Sequence, residues 1–135
     1  MNTRNLLLGT LSYIVASFLV QSISHFALNA DHYASISFMR EPPLMYFGLI
    51  TMLIQGILLT TIYLKWANGN FTVKQGILFA WLIGAFFVAY PALVEADKYN
   101  VENIMGWIIV EGSAGVAQFT LFGFLLGKFV KTNNL

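Results

Sequence analysis

The chain has no cysteine, three prolines and only 10% charged residues in a length of 135. The first absence rules out disulfides, thiolate metal sites, iron–sulfur clusters and cysteine nucleophiles. The shortage of charge says more, because a soluble domain carries about 25% Asp, Glu, Lys and Arg. With 58% hydrophobic residues and a mean hydropathy of +0.71, most of this chain must lie in lipid. The net charge is +1 and the basic residues are scattered singly, so there is no basic stripe and no nucleic-acid partner is expected.

What the chain does have is four long apolar runs, residues 6–26, 44–64, 76–94 and 105–127. Each approaches the roughly 20 residues that cross a bilayer as a helix. Lipid offers no hydrogen-bond partner to the backbone, so uninterrupted runs of this length must be helical. The expected fold is all-α: a polytopic membrane protein with four transmembrane helices in a bundle, one domain over residues 1–135. The first run follows Arg4, as a secretory signal would. It exceeds the roughly 7 to 15 apolar residues of such a signal and meets no small-x-small cleavage site, so a retained helix is expected.

Charge sets the expected orientation. Arg4, Lys65, Lys74, Lys128 and Lys131 fall on one side of the bundle, against Arg40 and Lys98 on the other. The positive-inside rule then puts both termini in the cytoplasm. Asp31, Glu41, Glu95, Asp97 and Glu102 all fall on the opposite side, and Trp66 and Trp107 sit near span ends, where interfacial aromatics belong.

The connectors are residues 27–43, 65–75 and 95–104. The first, the longest, reads as a cap over the bundle, with Ala34, Ile36, Phe38 and Met39 able to rest on the membrane surface and Pro42-Pro43 leading into the second helix, where a missing N–H is harmless. In the second, Asn68 and Gly69 supply the permissive backbone of a tight turn. Asn70-Phe71-Thr72 is formally a glycosylation sequon, but its expected cytoplasmic side makes it a chance match.

The two halves resemble one another. Ala30-Asp31-His32-Tyr33 matches Ala96-Asp97-Lys98-Tyr99, each just after an odd-numbered helix. Gln55 precedes Lys65, and Gln118 precedes Lys128, by the same interval. A parallel two-fold internal repeat of helices 1–2 and 3–4 would set Gln55 and Gln118 face to face near the midplane. They would serve there either as interhelical glue or as part of a polar ligand site. Gly76, Ala80 and Gly84 line one helix face and Gly123 and Gly127 another, fit for close packing or for a homodimer or other membrane partner.

Glu111 is the residue that most needs a reason. A carboxylate within an apolar span is costly and normally faces protein or water. Its repeat counterpart is Gly48, which suggests an asymmetric hollow lined by Gln21, His25, Tyr46 and Glu111. His25 is its natural partner, since imidazole changes charge near neutral pH and can donate to a carboxylate; Arg40 is the alternative.

A His after the first helix, a Tyr soon after, Arg40-Glu41-Pro42, and Ile54-Gln55-Gly56 in the second helix together resemble small bacterial four-helix membrane proteins grouped as domains of unknown function. The resemblance implies a bacterial inner-membrane location; it implies no substrate and no catalytic residue. From the residues themselves, the first reading is a polar pocket in the outer half of the bundle for a small amphiphilic or lipid-like ligand. Glu111, His25, Gln21, Tyr46, Gln55, Gln118 and Arg40 are its candidate residues, with membrane lipid around it. An interaction or assembly subunit is the second reading. A lipid-modifying enzyme using Glu111 and His25, or a small transporter, is the third, although an oriented nucleophile is missing. No cofactor is expected, and His25, Asp31 and His32 lack metal-ligand spacing.

Overall fold

The computed structural model describes residues 2–37, 40 and 42–131, so the expectations placed on Phe38, Met39 and Glu41 fall outside the described residues. Helix α1 (Thr3–Ile23) continues through a π-helical turn (Ser24–Leu28) into the short α2 (Ala30–Ala34). Helix α3 is Met45–Trp66. Helix α4 (Val73–Ala89) continues through a second π-helical turn (Tyr90–Val94) into the short α5 (Glu95–Lys98), and α6 is Ile104–Phe129. Four continuous helices, Thr3–Leu28, Met45–Trp66, Val73–Lys98 and Ile104–Phe129, are long and apolar enough to cross a membrane. At about 1.5 Å per residue the shortest reaches about 33 Å, against about 30 Å of hydrocarbon. The protein is thus an all-α bundle of four such helices.

Polar caps start three of the four. The side chains of Asn2, Thr72 and Asn103 accept from the backbone N–H groups of Arg4, Gln75 and Gly106 at 2.9, 3.2 and 2.8 Å. Each satisfies a donor that the first helical turn leaves without a partner. Between α3 and α4 the Asn70 N–H closes a turn onto the Ala67 carbonyl at 2.8 Å. Asn68 (φ 46°) and Gly69 (φ 87°) are both left-handed there, the geometry that an Asn-Gly pair tolerates best.

The helices pack in the order α3, α1, α6, α4, with α1 and α6 at the centre. The α4–α6 seam is built on glycine: a Cβ on Gly123 would lie 2.7 Å from the Gly76 carbonyl oxygen, and Gly127 and Gly84 sit equally close to their neighbours. The small-residue faces therefore meet each other within the chain. The α1–α3 crossing is built in the same way, with a Gly56 Cβ position 3.1 Å from the Thr10 carbonyl and a Gly9 Cβ position 2.7 Å from the Thr60 hydroxyl. Between these seams Tyr13, Tyr63, Phe79, Phe119, Phe122 and Leu126 form the core. In lipid such packing replaces the hydrophobic effect as the force between helices.

Two features of this arrangement bear on function. The buried residues of α3 are Gly56, Leu59, Thr60 and Tyr63, all in its second half, so its first half stands off the bundle. In addition, α1 and α4 each end in a π-helical turn at the end of the bundle opposite the termini. In α4 the cause is Pro91, which has no N–H to donate and would clash with the preceding turn of an α-helix. The Pro91 carbonyl takes a hydrogen bond from the Trp107 indole N–H at 2.8 Å instead. Trp107 is accordingly buried, 5% exposed, where an interfacial residue was expected, whereas Trp66 is 43% exposed.

The internal repeat is not reproduced as expected. Its two four-residue motifs do follow equivalent π-helical turns, yet α3 and α4 form no seam like that between α1 and α6. Gln55 and Gln118 do not bond to one another; each is turned toward α1.

Candidate functional site

Polar side chains of α1 organise the site. Tyr13, Ser17, Gln21 and His25 recur every four residues and so share one helix face. The Tyr13 hydroxyl donates to Gln55 Oε1 of α3 at 2.7 Å. Gln118 of α6 donates to the Ser17 hydroxyl at 2.9 Å and accepts from Gln21 Nε2 at 2.7 Å. These bonds tie α1 to both neighbours and satisfy amides that would be costly to leave bare in lipid.

One turn further, the π-helical widening changes what the backbone needs. The His25 Nδ1–H donates to the Gln21 carbonyl at 3.0 Å. A carbonyl can only accept, so Nδ1 carries the proton of this bond. The ring lies flat on Tyr33 of α2, with centroids 3.7 Å apart and planes 12° from parallel.

Tyr33 then reaches across to α6, where its hydroxyl donates to Glu111 Oε1 at 2.6 Å. This is the short length of a bond to a charged acceptor. Burial raises the Tyr33 phenol pKa above its ordinary value, and the Glu111 carboxylate adds to the rise. Tyr33, and not His25 or Arg40, is thus the partner of Glu111. His32 meets Tyr33 edge-on at 5.3 Å and lies 5.9 Å from Trp107, itself 6.3 Å from Tyr99, so an aromatic ladder joins the first and third connectors.

Beside this latch is a cleft of about 610 Å³ between the end of α1, α2 and the first half of α3. Its floor is Phe18, Leu49 and Met52, and its polar wall is Gln21, Ser22, His25, Tyr33 and Arg40. Gly48 opens onto it, with no atom within 4 Å of where a Cβ would stand. No family model, curated protein or solved structure matches the chain. The site is therefore read from its own geometry.

Of the candidate residues, Gln21, His25 and Arg40 line the cleft. Glu111 and Gln118 each stand one hydrogen bond behind a lining residue, behind Tyr33 and Gln21 respectively. Gln55 belongs to the α1–α3 crossing through Tyr13. Tyr46 is exposed and packs against its neighbour Phe47, with ring centroids 4.4 Å apart. The hollow suggested by Gly48 is there, but Glu111 is not among its walls. Tyr33 and Ser17 were missed. Tyr33 had a signal, its place eight residues after His25 in the motif shared by both halves; Ser17 had only its four-residue spacing from Gln21. Among the described residues no group of three His, Asp or Glu side chains is placed to hold a metal ion.

Proposed function

We propose that this is a multi-pass protein of a bacterial inner membrane, both termini cytoplasmic, whose cleft between α1 and α3 binds a small amphiphilic or lipid-like molecule from the outer leaflet. The observation that carries this reading is the cleft itself: about 610 Å³, apolar at its floor and polar along one wall. That volume lies within the roughly 300–1,000 Å³ of small-molecule sites, and apolar lining with a few placed polar groups is their usual make-up. The bonds behind the wall support the reading further. Gln118 and Glu111 hold Gln21 and Tyr33 in fixed positions, as a preorganised site requires.

The test is native mass spectrometry of protein released from lipid nanodiscs. Wild type is expected to carry an amphiphile-sized adduct. Gly48→Phe, which fills open space, should lose it while unfolding at the same temperature. Identical adducts on both proteins would refute the reading.

A further inference from the structure

We propose that the head group this cleft selects is anionic, a carboxylate or a phosphate monoester on an apolar chain, and that Arg40 holds it. The proposal rests on the reading of the cleft as a ligand site and says what that site recognises.

Most of the neutral donors on the wall are already engaged. The His25 Nδ1–H is taken by the Gln21 carbonyl, Gln21 Nε2 serves Gln118, and the Tyr33 hydroxyl serves Glu111. Arg40, exposed among the lining residues, is left as the charged donor, and among the described residues no Asp or Glu lines the cleft beside it. Its planar guanidinium presents paired N–H groups that match two oxygens of a carboxylate or phosphate.

The surroundings sharpen the charge complementarity. At this end of the bundle Asp31, Glu95, Asp97 and Glu102 lie off the cleft, and Glu111 is held by Tyr33. Among the described residues the cleft mouth thus carries a positive charge and no acidic side chain on its walls to serve a cationic head group. Below the mouth, Met45 to Met52 spans about 10 Å of helix, over which the lining turns from polar to apolar. An amphiphile entering sideways from the leaflet would keep its head at Arg40 and lay its chain against Phe18, Leu49 and Met52.

The experiment uses the full chain in phosphatidylcholine nanodiscs, with bound amphiphile counted by native mass spectrometry. Palmitate and lysophosphatidate should bind, each at least tenfold tighter than monopalmitoylglycerol or hexadecyltrimethylammonium. Arg40→Gln should weaken both anions about tenfold, Arg40→Lys less, and Lys98→Gln, which removes the other basic residue of this end, should change nothing. Equal binding of neutral or cationic amphiphiles, or Arg40→Gln without effect, would overturn the head-group assignment; so would an equal loss in Lys98→Gln, which would mean bulk attraction only. If these amphiphiles bind but Gly48→Phe does not weaken them, the cleft reading itself has failed, and the two failures are thereby told apart.

Discussion

Replacing Tyr33 by Phe removes one hydroxyl. The ring and its stack on His25 remain, and the 2.6 Å hydrogen bond to Glu111 is lost. A hydrogen bond to a charged group is worth about 1.5–3 kcal/mol in soluble proteins. Bonds between membrane helices average about 0.6 kcal/mol, because the unfolded state in the membrane also finds partners. Tyr33 is buried at 9% exposure, but it lies beyond the end of a span and Glu111 is only half-buried, so water can partly replace the lost hydroxyl. Balancing these gives about 1–2 kcal/mol, or roughly a 5- to 30-fold rise in the opening of α2, since about 1.4 kcal/mol is a factor of ten. Amide hydrogen exchange in nanodiscs reads it directly. The Tyr33 and Ser35 amides bond to the Asn29 and Asp31 carbonyls at 3.1 Å, and opening α2 releases both. Glu111→Gln, which keeps a weaker acceptor, should accelerate exchange less, and the double substitution should be no worse than Tyr33→Phe alone. Unchanged exchange at these amides, or acceleration spread equally over the α4–α6 seam, would refute the role given to this bond.

Other expectations follow from the same contacts. Gly123→Ala should lower unfolding stability by about 1–3 kcal/mol, the usual effect of overpacking, because its Cβ would press on the Gly76 carbonyl. Gly112→Ala, with open space around it, should stay within about 0.5 kcal/mol. Because the Tyr33 pKa is raised in the folded state, its contribution to cap stability should be constant below the ordinary tyrosine value near 10 and be lost as pH rises beyond it. The wild-type minus Tyr33→Phe difference in tyrosinate absorbance should accordingly titrate above the ordinary tyrosine value near 10, and a titration at that value would contradict the burial. With no native cysteine, single cysteines report orientation cleanly. Asp97→Cys should react with an impermeant maleimide in intact cells and Asn68→Cys should not; the reverse labelling would invert the proposed topology.

The bundle was legible in the sequence because lipid imposes simple rules. Four apolar runs of spanning length leave helices as the backbone's only solution, and the Asn68-Gly69 turn and the glycine faces were readable from residue type. The helix order was not legible, since polar spacing says that Gln55 and Gln118 need partners but not that α1 supplies both. Trp107 was misplaced for a related reason. Its position at a span end suggested an interfacial anchor, and only the carbonyl of Pro91 in a π-helical turn explains why it is buried. For Glu111 the need for a partner was evident from its position alone. That the first connector caps the bundle was legible, but which of its side chains reaches Glu111 depends on how α2 lies over α6, and residue type alone did not separate Tyr33 from His25 and Arg40.

Photo-crosslinking would locate a bound acyl chain on the protein. A palmitate bearing a diazirine at the end of its chain, irradiated with the protein in phosphatidylcholine nanodiscs, should label the cleft floor at Phe18, Leu49 and Met52. Labelling concentrated instead on lipid-facing residues of α4 such as Leu82 and Phe86, 59% and 80% exposed, would mean that the cleft does not hold the chain.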